Sequence, residues 1–130
     1  MKNRSFLLID DDQDDHIIFA DALRMVDPDA ACDYVYDCPA AIDSLKKQVI
    51  LIPDYIFMDW SMPYMDAIEC IQCLRQIPGI HRTPIFILSG SKPSFEIQDK
   101  VGLYIKKVLT KQNSIEKLSI EIREAIILPD

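Results

Sequence analysis

The sequence predicts an α/β protein, a doubly wound, five-stranded parallel sheet with helices on both faces. Three observations support this. Phe6-Leu-Leu-Ile9, Tyr55-Ile-Phe-Met58 and Ile85-Phe-Ile-Leu88 are short, continuous apolar runs, as expected of strands buried on both faces. Segments with helical apolar spacing separate the runs, and parallel neighbours need such crossovers. Polar or acidic residues follow the runs directly, where open α/β sheets bind their ligands.

The first strand, Phe6 to Ile9, leads into the acidic stretch Asp10 to Asp15. A helix then places Ile18, Phe19, Ala22, Leu23 and Val26 on one stripe, and Pro28 stops it. A second strand is expected over Cys32 to Tyr36, with Tyr34 and Tyr36 on one face. Pro39 suits the first turn of a helix carrying Ile42, Leu45 and Val49 inward. Pro53 and Asp54 introduce the central strand, Tyr55 to Met58. Pro63 blocks any continuation, having no N–H to donate. Asp66 can cap a helix with Ile68, Ile71 and Leu74 inward, closing at Pro78-Gly79. Thr83-Pro84 precedes the strand Ile85 to Leu88, which ends at Ser89-Gly90-Ser91. Ser94 opens a helix through Ile97 and Val101, and Lys107 to Lys111 forms the last strand. Ser114 starts a final helix with Ile115, Leu118, Ile122 and Ile126 inward and Glu116, Lys117 and Glu121 outward.

A length of 130 residues fits one domain with a substantial core. There is no internal repeat or linker, and the chain reads as a single unit over 1–130 with no output domain. A formal charge of −7 argues against a nucleic-acid surface and against anionic membranes. No apolar run approaches the roughly 18 residues of a membrane span. The uncharged stretch Ser5 to Ile9 is too short for a signal peptide, so a cytoplasmic protein is expected. Cys70 and Cys73 have CxxC spacing but lie inside a helical run, and Cys32 and Cys38 lack zinc-finger spacing. All four cysteines are therefore expected to be small, reduced core residues.

Asp10 and Asp11 follow the first strand, Asp59 the third, Ser89 the fourth and Lys111 the fifth. In a doubly wound sheet these ends converge. Three carboxylates about 5 Å apart repel by roughly 3 kcal/mol per pair at an effective dielectric near 20. Such a cluster calls for a divalent cation, and a set made only of carboxylates favours Mg2+. Mg2+ readily takes a phosphoryl oxygen, and a carboxylate can itself be the phosphoryl acceptor. Asp59 suits the acceptor role, with Asp10 and Asp11 as metal ligands. Lys111 and the Ser89 hydroxyl are then available to meet phosphoryl oxygens.

At these residues the chain resembles the response-regulator receiver domains of two-component signalling. The acidic pair after Phe-Leu-Leu-Ile, Met-Asp59-Trp-Ser-Met-Pro63, the Ser after Ile-Phe-Ile-Leu, and Lys111 carry the resemblance across nearly the whole chain. It implies a flavodoxin-like strand order, 2-1-3-4-5. It also implies phosphorylation of Asp59 by a histidine kinase or phosphotransfer protein, with the Ser61 main-chain carbonyl as a further Mg2+ ligand. Ser89 would move inward on phosphorylation, and the output would pass to a downstream protein target by contact, the protein being a phosphoacceptor rather than an enzyme.

Three positions depart from the family pattern. Gln112 replaces the usual proline after Lys111, leaving that bond trans or strained cis. Val108 stands where an aromatic switch residue is common, with Tyr104 a weak substitute. Ala67 replaces a common glycine, which can alter the turn after Pro63. Lys106 and Lys107 are rivals for the lysine role. Asp14 and Asp15 need be no more than solvated acids at a helix start, and His16 and His81 no more than solvated or half-buried side chains. Two rival functions remain: a pseudo-receiver that only binds partners, and a haloacid-dehalogenase-like phosphatase with Asp10 as nucleophile and Asp12 as general acid.

Overall fold

The structure is a computed structural model describing residues 3–90 and 105–128. In chain order it comprises β1 (Ser5–Ile9), α1 (Gln13–Val26), β2 (Ala31–Val35), α2 (Cys38–Lys46), β3 (Tyr55–Asp59), α3 (Ala67–Arg75), β4 (Ile85–Ser89), β5 (Lys107–Thr110) and α4 (Ile115–Ile126). The five strands form one parallel sheet in the order β2-β1-β3-β4-β5, the order implied above. The helix expected from Ser94 through Val101 lies outside the described residues, as does Tyr104.

Side-chain alternation sorts the core into two layers. Leu7, Ile9, Ile56, Met58, Ile85 and Ile87 face one way and pack with Leu45 of α2 and Ile71 and Leu74 of α3. Phe6, Leu8, Phe57, Phe86 and Leu88 face the other way, against Phe19 and Leu23 of α1 and Leu118 and Ile122 of α4. Phe57 is the centre of the second layer, with ring centroids 4.8 Å from Phe86, 5.2 Å from Phe19 and 6.2 Å from Phe6.

The helix starts follow the capping residues. Asp12, Asp37, Asp66 and Ser114 each accept a first-turn backbone N–H. Pro39 falls in the first turn of α2, where a missing N–H costs no helical bond. Two expectations need correction. Helix α2 ends at Lys46 and Gln48 takes a φ of 60°, so Val49 leaves the inward stripe and is exposed. Cys38 and Cys70, both fully buried where α2 meets α3, are joined as a disulfide with Cα atoms 6.0 Å apart, whereas Cys32 and Cys73 are free. Their helical phases point both thiols into the same seam, a cross-helix proximity that sequence spacing does not encode.

Phe57→Ala is expected to cost about 3–5 kcal/mol, because its void opens between three other rings. Urea denaturation followed by far-UV circular dichroism would measure the loss.

Candidate functional site

The alternation that builds the aromatic layer also aims the site. Asp10 continues the phase of Phe6 and Leu8, Asp59 that of Phe57, and Lys111 that of Leu109, so all three emerge on the α1/α4 side. Asp59 is the last residue of β3 and pairs in register with Leu88, while the Trp60 N–H donates to the Leu88 carbonyl at 2.9 Å. Ser89 ends β4 opposite Thr110, and its carbonyl accepts the Lys111 N–H at 2.6 Å. These ladders bring four strand ends to one edge.

Carboxylate oxygens of Asp10, Asp11 and Asp59 lie within 4.8 Å of one another. Asp10 and Asp59 are buried and Asp11 is exposed, so the cluster is open on one side. The Asp12 N–H donates to Asp10 Oδ1 at 3.0 Å, fixing the carboxylate's orientation. The other oxygen, Asp10 Oδ2, is buried and accepts no hydrogen bond among the described residues; Lys111 Nζ stands 3.3 Å from it. A buried carboxylate oxygen so poorly satisfied, beside two further carboxylates, suits a hard divalent cation. The Ser61 N–H donates to Asp59 Oδ1 at 3.4 Å, placing residue 61 beside the cluster. Ser89 is buried within the same edge.

Lys111 Nζ lies 3.3 Å from Asp59 Oδ1 and 2.6 Å from Asp15 Oδ2. Its rivals go elsewhere: Lys106 Nζ donates to the Leu128 carbonyl at 2.8 Å, and Lys107 is exposed at the start of β5. The Lys111–Gln112 bond is trans. Ala67 opens α3 as its first, buried residue, and the left-handed conformation falls instead on Tyr64, with φ 73°.

Burial pushes the Asp10 carboxyl up to about 7, assisted by the charges of Asp59 and Asp15; the Asp12 N–H and Lys111 pull the other way. Burial also raises Asp59, against the opposing pull of Lys111. For Lys111, burial works to lower the ammonium pKa but is outweighed by the Asp15 hydrogen bond and the Asp10 and Asp59 charges, so the group stays firmly protonated.

The response regulator receiver domain family model matches residues 6–123. The chain belongs to that family. Receiver domains are the phosphate-accepting modules of two-component signalling and typically combine a phosphorylated aspartate with a bound Mg2+. A 74-residue stretch, 55% of the chain, is 38% identical to the histidine kinase CKI1 of Arabidopsis thaliana but spans only 6% of that protein. Among solved structures, chemotaxis response regulator CheY4 of Vibrio cholerae aligns with a TM-score of 0.79 at 21% identity, covering 95% of this chain and 99% of that one. The phosphorylated cyanobacterial phytochrome response regulator RcpA gives 0.78 at 20%, covering 95% and 91%. The Mn(2+)-bound form of response regulator Rcp1 gives 0.77 at 22%, covering 93% and 90%. These likenesses describe the receiver fold. Among the described residues, no helix is long and apolar enough to cross a membrane.

Two residues of this receiver site exceed their sequence reading. Asp15, expected to be solvated, reaches Lys111. His16, expected to be at most half-buried, is buried with Nε2 2.7 Å from the Asp10 carbonyl and its ring between Tyr34 and Tyr36. Both lie one turn before Phe19 on the inward stripe of α1, a signal the sequence did contain.

The raised Asp10 pKa sets a sign for stability. The unfolded chain loses this proton near the ordinary carboxylate value of 3.8, while the folded chain keeps it to about 7. Stability from this group is therefore complete below the lower value and lost as pH rises through the upper one. Without divalent cations, the thermal midpoint should fall between about pH 4 and pH 7 and level off above, and Asp10→Asn should flatten most of that slope. Differential scanning calorimetry across the pH series checks both.

Proposed function

We propose that residues 1–130 act as one receiver unit in which Asp59 accepts a phosphoryl group from a histidine kinase or phosphotransfer protein, in a Mg2+-dependent reaction. The observation that carries this is the meeting of the Asp10, Asp11 and Asp59 carboxylates with the Lys111 ammonium at one edge of the sheet.

An Asp59 oxygen attacks the phosphorus of an N-phosphorylated histidine. The P–N bond breaks, and its electron pair returns to the imidazole, which then takes up a proton. Asp10, Asp11 and Asp59, with the Ser61 carbonyl, would hold Mg2+, which when bound supplies neutralisation of charge on the transferring group. Lys111 meets one phosphoryl oxygen and the Ser89 hydroxyl another, so their positions on β4 and β5 report whether phosphate is present. Output is a population shift driven by those contacts and passed on to a protein target. Val108, half-buried on β5, offers no ring for an aromatic flip, so the readout runs through other side chains.

The phosphatase alternative is weakened by Asp12. That reading needs Asp12 as a free acid, but its carboxylate caps α1 by accepting the Asp14 N–H at 2.8 Å.

With acetyl phosphate and Mg2+, intact-mass spectrometry should show a gain of about 80 Da, the mass of one phosphoryl group, that is absent from Asp59→Asn. A gain that survives Asp59→Asn but not Asp10→Asn would favour the phosphatase. No gain with any donor would favour a pseudo-receiver. Lys111→Ala should slow the gain by about tenfold or more, since it removes the cation facing the transferring group.

A further inference from the structure

The shortest contact of the site lysine is with a residue outside the metal cluster. Lys111 Nζ is 2.6 Å from Asp15 Oδ2 but 3.3 Å from both Asp10 Oδ2 and Asp59 Oδ1. Asp15 is the third residue of α1, so its position is set by a capped helix and not by the loop that carries Asp10 and Asp11. A cavity of about 70 Å³ adjoins Asp10, Asp15 and Lys111, so packing does not wedge the ammonium in place and charge decides where it sits. Three carboxylates compete for one cation. Two of them are needed for the metal and the phosphoryl group, and the third has no other assigned partner in the reaction.

We propose that Asp15 is a positioning residue: its carboxylate holds the Lys111 ammonium toward α1 and so keeps Asp10 and Asp59 open to the metal and to the donor phosphorus. The proposal rests on the reading of Asp59 as phosphoacceptor and extends it to a residue that touches neither reactant. Without the Asp15 charge, the ammonium relaxes the last few tenths of an ångström onto Asp10 and Asp59, to the roughly 2.8 Å of a charge-assisted hydrogen bond. There it occupies the nucleophilic oxygen and neutralises two metal ligands at once. Lys111 is then a competitor of the metal instead of a helper.

The experiment compares Asp15→Asn with Asp14→Asn. Asp14 is the exposed neighbour that carries the same charge, whereas the ion pairs of the lysine among the described residues are with Asp10, Asp15 and Asp59. Each substitution is made in the wild-type chain and in Lys111→Met. Mg2+ affinity is read from the fluorescence of Trp60, the single tryptophan, which directly follows Asp59. Phosphorylation by acetyl phosphate is read by intact mass at saturating Mg2+. Asp15→Asn should weaken Mg2+ binding about fivefold and slow phosphorylation by a similar factor, against less than about twofold for Asp14→Asn, and the excess should vanish in Lys111→Met. Equal effects of the two substitutions, or an excess that persists without Lys111, overturn the proposal. Asp15→Ser, which also suits a first helical turn, runs alongside so that a folding defect in one variant does not empty the comparison. A wild-type chain that binds Mg2+ but gains no phosphoryl mass refutes the phosphoacceptor reading and leaves the metal titrations to decide the role of Asp15. A wild-type chain with no Mg2+ response overturns both.

Discussion

The arrangement depends on one electrostatic problem, the burial of carboxylates side by side. Asp10 and Asp59 sit in the interior with Asp11 close by, and the Lys111 ammonium faces them. Like charges so placed repel by about as much as a small domain can spare. The chain meets this cost in three ways. Lys111 supplies a cation, the N–H groups of Asp12 and Ser61 orient the oxygens, and burial shifts the Asp10 carboxyl upward so that it keeps a proton to about pH 7. Each remedy depends on the sheet, because only parallel strands of matched length deliver these groups to one edge from distant parts of the chain.

The aromatic layer beneath the cluster keeps that edge fixed. Phe57 lies two residues before Asp59 on the same face of β3, and its ring is held by Phe19 of α1 and Phe86 of β4. Side chains clamped at that position leave the end of β3 little freedom, so the Asp59 carboxylate is held in a preset geometry. The cost of the charged rim and the stability of the rings beneath it are thus two parts of one construction.

Most of this was legible in the sequence because the chemistry follows the strands directly. Asp10, Asp59 and Ser89 stand at the ends of buried runs and Lys111 directly follows the last strand, and period-two alternation decides which way they face. Strand limits moved by a residue where backbone bonding outlasts the apolar pattern. Asp59 and Ser89 belong to their strands, and β2 begins at Ala31, whose N–H donates to the Arg4 carbonyl at 2.9 Å. What stayed hidden was tertiary. The Cys38–Cys70 bond depends on how two helices meet, and Val49 left its stripe through the left-handed turn at Gln48. Asp15 was obscured by a sufficient local explanation, since an acid in the first turn of a helix needs no further reason to be there.

The same geometry links the acidic edge to particular helices. The Lys111 ammonium is bonded to Asp15 on α1, and the adjacent Gln112 donates its side-chain N–H to Glu121 of α4 at 3.3 Å. These two helices pack against each other on the aromatic side of the sheet, whereas α2 and α3 sit on the opposite face behind an aliphatic layer. A displacement of Lys111 therefore acts on α1 and α4 through polar contacts one residue apart. Among the described residues, Lys111 and Gln112 thus tie the acidic edge directly to α1 and α4 by side-chain bonds.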